Sequence, residues 1–206
     1  MHGILIAFEG LDQSGKQTQA ELLRDRLVDA GRLVRLLSFP AYDTSIGTEI
    51  ERALRGDRDY GADVMQLLYV ANRYEWKPHI ERELGRGTIV ICDRYLASSV
   101  AYGVAQGLDA GWLIEMQKYL PQPDATILLD IDPAVSSRRK TEDRDKYERD
   151  LALLERVRSS YLEQASGLRV TADAASPRSG AWVRLDAARD RDAVASDVWQ
   201  AVGGLL

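Results

Sequence analysis

Nine residues, Gly10-Leu11-Asp12-Gln13-Ser14-Gly15-Lys16-Gln17-Thr18, have the types and the spacing to bind a polyphosphate. Gly10 and Gly15 permit close backbone approach and positive φ. An apolar run, Ile4 to Phe8, precedes them, and a helical pattern beginning Thr18-Gln19-Ala20-Glu21 follows. In the order strand, glycine loop, lysine, helix, the loop N–H groups converge on one concavity at the positive end of a helix dipole. Lys16 adds a full positive charge where β- and γ-phosphates would lie. A bare Gly-x4-Gly-Lys also arises by chance; the flanking strand and helix favour phosphate binding over an ordinary turn. At the next position, where a Ser or Thr hydroxyl normally meets magnesium, stands Gln17.

Two further polar clusters follow apolar runs, Phe39 to Thr44 and Asp93-Arg94-Tyr95. Alone, Asp93-Arg94 suits a salt-bridged strand end as well as a catalytic pair. Tyr69 and Arg73 are one helical turn apart, so a ring and a guanidinium can grip one flat ligand. A core aromatic beside a surface arginine is the plainer alternative. The run Arg138, Arg139, Lys140, Glu142, Asp143, Arg144, Asp145, Lys146 suits a solvated helix face or a mobile lid carrying cations to an active site.

The elements that must position these residues alternate. Helical spacing of Leu22, Leu23, Leu27 and Val28 runs to Ala30, and Gly31 stops it. Leu33 to Phe39 reads as a strand, and Thr44 or Ser45 caps a helix to about Leu54. Asp63 is the expected cap of a long helix through Leu84, ended by Gly85 and Gly87. Thr88 to Cys92 is almost purely apolar, as a parallel strand covered on both faces requires. Helices are expected up to Gly107 and over Ala110 to Tyr119, then a strand over Ala125 to Ile131. Asp132-Pro133 opens a helix, and Leu151 to Gln164 is another. Gly167 to Gly180 reads as loop, with room for one marginal strand, Trp182 to Leu185 as a last strand, Asp190 to Val202 as a closing helix. This is α/β with a parallel sheet, and ligands belong at the strands' carboxyl ends, where the loop at 10–18, Phe39 to Thr44 and Asp93 to Tyr95 converge.

Composition sets the outer limits. The 206 residues, 45% hydrophobic and 29% charged, suit one globular domain. A net charge of −5 argues against a surface for nucleic acid, though a basic pocket for a small phosphorylated substrate remains compatible with it. The single cysteine, Cys92, excludes an intramolecular disulfide or a zinc framework. No run reaches membrane-spanning length and no signal peptide is expected, so a cytoplasmic protein without a membrane partner is the expectation.

The chain resembles the thymidylate (dTMP) kinases, nucleoside monophosphate kinases of the P-loop class. The resemblance is carried by Phe8-Glu9-Gly10-Leu11-Asp12, Gly15-Lys16, Thr18-Gln19, Phe39-Pro40, Ala71-Asn72-Arg73 and Asp93-Arg94-Tyr95. Ser98-Ser99, Ala101-Tyr102, Leu128 to Asp130, Lys146-Tyr147-Glu148 and Leu185-Asp186-Ala187 complete it, in order along the chain. The stretch from Asp93 to Tyr102 is the most specific, since related deoxynucleoside kinases lack it in this form.

The resemblance implies a three-layer P-loop kinase fold, a central parallel five-stranded sheet flanked by helices, as one domain over 1–206 with a lid at about 137–149. It implies transfer of a phosphoryl group from ATP to dTMP, giving dTDP and ADP in dTTP biosynthesis, with Mg2+. Gly10, Leu11, Asp12, Gln13, Ser14, Gly15, Lys16, Gln17 and Thr18 would hold ATP. Asp12 would sit between the substrates, and Asp12, Gln17 and Asp93 would lie by the metal. Arg94 would bind the acceptor phosphate, Tyr69 would stack on thymine, and Arg73 and Ser99 would hydrogen-bond its edge. Phe39, Pro40 and Ser98 would line the acceptor site, with Tyr102 where a ribose 2′-hydroxyl would go. A homodimer is also implied.

Gln13 stands where some members place an arginine, and Gly103 where a polar residue is usual. With neutral Gln13 in the loop, the catalytic positive charge is expected from the lid, from Arg139 or Arg144, with Arg139 also touching ATP. Two alternatives stand beside this: a kinase for another pyrimidine nucleotide or deoxynucleoside, and a catalytically weak nucleotide-binding module. A GTPase switch is excluded, since no Asn/Thr-Lys-x-Asp motif is present.

Overall fold

Residues 3–139, 150–167 and 180–206 are described by the structure, a computed structural model. Each apolar run is too short for a stable helix and becomes a strand: β1 (Leu5–Glu9), β2 (Val34–Ser38), β3 (Ile89–Asp93), β4 (Ala125–Asp130) and β5 (Ala181–Asp186). They form one parallel sheet in the order β2-β3-β1-β4-β5. Every residue of β1 and β4 is buried, as central parallel strands require, whereas the edge strands β2 and β5 are largely half-buried or exposed.

Eight helices are seen among the described residues: α1 (Lys16–Asp29), α2 (Ser45–Arg55), α3 (Ala62–Gly85), α4 (Leu96–Ala105), α5 (Ala110–Glu115), α6 (Pro133–Arg139), α7 (Leu151–Ala165) and α8 (Arg191–Gly203). Alternation along the strands divides the core. Ile6, Phe8, Ile89 and Ile91 pack with Leu23 and Leu27 of α1 and Val194 and Val198 of α8. Leu5, Ala7, Val90 and Cys92 pack with Ile80 and Leu84 of α3. Leu5, Ile6 and Phe8 are fully buried, each stabilising the fold by about 1.5–3 kcal/mol.

Several boundaries differ from expectation. Asp63 is not the cap of α3; Gly61 holds that place, and Asp63 sits in the first turn, where its carboxylate still suits the dipole. The helix expected over Ala110 to Tyr119 stops at Glu115. Val28, at core spacing, is 53% exposed because α1 turns that position away from the sheet. Thr44 does cap α2, accepting from the Gly47 amide. Most of the charged segment expected as a lid (140–149) and most of the expected loop (168–179) lie outside the described residues.

The fold delivers three strand ends side by side. Phe8 and Ser38 are both in register with Asp93. The ladder runs on beyond the strands, with the Phe39 amide donating to Asp93 and the Arg94 amide to Phe8. Glu9, Phe39 and Arg94 therefore emerge together at the carboxyl edge, at the crevice where such sheets bind ligands.

Candidate active site

Between β1 and α1 the loop is built as its glycines demand. Gly10 has φ 140°, and a Cβ there would lie 2.5 Å from the Leu129 carbonyl oxygen. Gly15 has φ 91° and caps α1, and a Cβ there would meet nothing within 4 Å, so the space over the backbone is open to a ligand. Lys16 is 6% exposed, and its Nζ donates to the Leu11 carbonyl at 2.7 Å. Burial first, and then the nearby Arg94 charge, push the Lys16 ammonium down to about 8, with Asp12, Asp93 and Glu9 acting in the other direction. The short helix α6 braces the loop from behind. Ser136 donates to the Asp12 carbonyl at 2.6 Å, and Arg139 bridges the carbonyls of Gln13 (3.1 Å) and Ala187 (2.9 Å).

Arg94 is the hub. Its Nη2 donates to Asp12 Oδ1 at 2.6 Å, and its Nη1 to the Gly10 carbonyl, Ser98 Oγ and Tyr161 Oη. Its guanidinium also lies 5.3 Å from the centre of the Tyr102 ring. Arg94 has φ 63°, a left-handed conformation that a residue with a Cβ adopts only when the surroundings hold it there. Burial acts against the Asp12 carboxylate, but the Arg94 and Lys16 charges and hydrogen bonds from Arg94 and Tyr102 outweigh it. The carboxyl is held well below the usual range and stays ionised.

Two cavities meet at Asp12 and Arg94. The tighter, of about 110 Å³, is lined by Phe39, Pro40, Leu54, Gln66, Tyr69, Arg73, Ser98, Ser99 and Tyr102 among others. Arg73 is buried and its Nη1 donates to Ser99 Oγ at 2.7 Å. The roomier cavity, of about 310 Å³, runs over Gln13, Gly15, Lys16, Gln17 and Thr18 to Asp93. Every residue expected for the acceptor lines the first, joined by Tyr42, Leu54, Gln66 and Gln106. Gln17 lines the second, although its Nε2 donates along α1 to Glu21 at 3.0 Å. Arg139 is placed against the loop, and Arg144 lies outside the described residues.

Three residues not assigned a role from sequence hold the site together. Glu9, fully buried, accepts from the Tyr95 amide and from the Ser98 and Tyr161 hydroxyls. Tyr161, on α7, joins Glu9, Ser98 and Arg94 through one oxygen. Asn72 clamps the Phe39–Thr44 segment, accepting from the Ala41 amide at 2.8 Å and donating to Thr44 Oγ1 at 2.9 Å. The Phe39–Pro40 bond is cis. Asn72 alone had a local signal, one turn from Tyr69 beside Arg73. The others act across long separations.

A phosphate-binding loop opening onto a second pocket with its own arginine is the arrangement of a P-loop kinase acting on a small phosphorylated acceptor, a nucleoside monophosphate kinase. The chain belongs to the thymidylate kinase family, whose model matches residues 8–181. It is 36% identical over 159 residues to the thymidylate kinase of Schizosaccharomyces pombe, covering 77% of this chain and 75% of that one. A probable thymidylate kinase of Staphylothermus marinus is 37% identical over 204 residues, 96% of this chain and 93% of its own. Among solved structures, thymidylate kinase from Candida albicans superposes with a TM-score of 0.82 at 30% identity, covering 98% of this chain and 92% of that one.

Proposed function

We propose that this enzyme transfers the γ-phosphoryl group of ATP to dTMP, giving dTDP and ADP, with Lys16, Asp12 and Arg94 as its catalytic charges. The observation that carries the reading is that one pocket is lined by Tyr69, Arg73 and Ser99 and shares Arg94 with the cavity over the phosphate loop. An acceptor phosphate oxygen attacks the γ-phosphorus, through a loose transition state that needs alignment and cations more than a nucleophilic side chain. Arg94 neutralises the acceptor phosphate so that it can approach the donor. Asp12 fixes Arg94, and Lys16 with the loop amides holds the donor. Tyr69 stacks on the base, Arg73 and Ser99 hydrogen-bond its edge, and Phe39, Pro40, Ser98 and Tyr102 line the sugar side.

Magnesium fits this donor set. Asp93 Oδ1 is buried without a hydrogen-bond partner among the described residues, beside Lys16 in the same cavity. No cluster of three or more His, Cys, Asp or Glu is found among the described residues. A hard cation that takes one or two carboxylates and completes its shell with phosphates and water suits such a site. Asp93, Asp12 and Gln17 would hold it, and when bound it would offset charge on the donor phosphates.

An acceptor panel tests the assignment, with ATP and Mg2+ each omitted in turn. dTMP is expected to be the best acceptor, with ribothymidine monophosphate poor because Tyr102 fills the 2′ space. Thymidine phosphorylated as well as dTMP would sink the reading. Arg139 or Arg144 is proposed to supply charge to the transferring group, a role that can be worth about 10³–10⁵ in rate. Either Arg139→Ala or Arg144→Ala, and the double variant with it, is expected to lose at least tenfold in turnover at saturating substrates. Retention within about threefold (roughly 0.7 kcal/mol) in all three would leave Arg139 a loop brace. The single domain over 1–206, with its lid at 137–149, rests on the same family reading. A homodimer rests on the same family reading, and light scattering would read it. Cell fractionation would test the cytoplasmic location.

A further inference from the structure

Gln66 is 1% exposed, yet neither its Nε2 nor its Oε1 has a hydrogen-bond partner among the described residues. A side-chain amide at that depth is normally paired, because water no longer solvates it and nothing else repays the loss. Gln66 lines the acceptor pocket, where Arg73 Nε is likewise buried and unpartnered. Two buried, unpaired polar groups in the wall of one pocket point to one ligand, which the Gln66 amide meets by turning into the pocket.

Helix geometry says which part of the ligand they meet. Gln66, Tyr69 and Arg73 fall at i, i+3 and i+7 on α3 and share one face, with Tyr69 in the middle. A base stacked on Tyr69 therefore has Arg73 and Ser99 on one side and Gln66 on the other. The charge for a phosphate lies at the opposite end, on Arg94, so neutral Gln66 belongs to the base. Arg73 offers only donors, and Ser99 Oγ already accepts one of them. A 2,4-dioxopyrimidine also carries an imide N–H, which needs an acceptor.

We propose that Gln66 is a base-contacting specificity residue of the acceptor site. Its Oε1 accepts from the imide N–H of a thymine or uracil base, and its Nε2 donates to an adjacent ring carbonyl. The proposal rests on the pocket being the dTMP site. It makes binding and ligand-free stability pull in opposite directions, since an amide awaiting a ligand is a burden to the empty fold.

Gln66→Met keeps the length and removes both polar atoms, and Gln66→Leu does so in another shape. In each, the ligand-free protein is expected to melt at or above the wild-type temperature, while dTMP binding by calorimetry weakens tenfold or more. Inhibition by 2-deoxyribose 5-phosphate, which lacks the base, is expected to stay within twofold, as is ATP affinity. Undiminished dTMP binding in a well-folded Gln66→Met overturns the inference alone. So does an equal loss for 2-deoxyribose 5-phosphate, which would mean a distorted pocket, or a lowered melting temperature in both variants. Failure of the folded wild-type protein to bind dTMP would overturn the acceptor assignment and this inference with it.

Discussion

Arg94→Ala is expected to lower kcat/KM for dTMP by roughly 30-fold to several thousandfold, about 2–5 kcal/mol, the scale for leaving one member of a buried charge pair alone. ATP affinity should change much less. The reason is position: Arg94 is shared by the two cavities that meet at the phosphate loop and is paired with Asp12 at 2.6 Å. Its backbone conformation separates site from scaffold. At φ 63° a glycine relaxes where an alanine is strained, so Arg94→Gly should be as inactive as Arg94→Ala yet more stable than it by about 0.5–1 kcal/mol in urea unfolding. Activity within threefold of wild type in Arg94→Ala would place the acceptor phosphate elsewhere. Equal stability of the two variants would show that the backbone is not strained.

What the sequence made legible was local or periodic. The loop from Gly10 to Thr18 announces itself through two glycines and a lysine between an apolar run and a helix, and the buried strands through unbroken apolar stretches. Tyr69 and Arg73 share a helix face by simple spacing. What could not be read depends on tertiary geometry. Nothing near Asp12 shows that it pairs with Arg94, 82 positions away, and nothing near Tyr161 shows that it reaches Glu9, 152 positions away. Asp63 has the better capping side chain, but the chain enters α3 two residues earlier, at Gly61. Gln66 reads as an ordinary helical residue, and only its burial without a partner gives it meaning. Arg139, from its run of charge, reads as part of a solvated face or a lid; its contacts with Gln13 and Ala187 depend on where α6 falls.

Lys16→Met is expected to reduce turnover by about 10³-fold, the range for removing a preorganised charge from a phosphoryl or oxyanion site. The wild-type enzyme should also reveal this lysine through pH. In the ligand-free protein burial and the Arg94 charge bring Lys16 down to about 8, whereas a polyphosphate selects the charged ammonium. ATP affinity is therefore expected to be flat below about pH 8 and to fall up to tenfold per unit above it. Stability moves the other way. The folded-state value lies below the ordinary 10.5, so the folded protein binds this proton less readily than the unfolded chain does. Lys16 thus destabilises the fold below about pH 8, and that penalty fades as pH rises towards 10.5. At pH 7, Lys16→Met should melt above wild type, and the gap should narrow by pH 10. The decisive measurements are ATP titrations of both proteins from pH 7 to 10, alongside turnover and melting. Wild-type affinity that held constant to pH 10, or a Lys16→Met enzyme within tenfold of wild-type turnover, would show that Lys16 does not carry the donor phosphates.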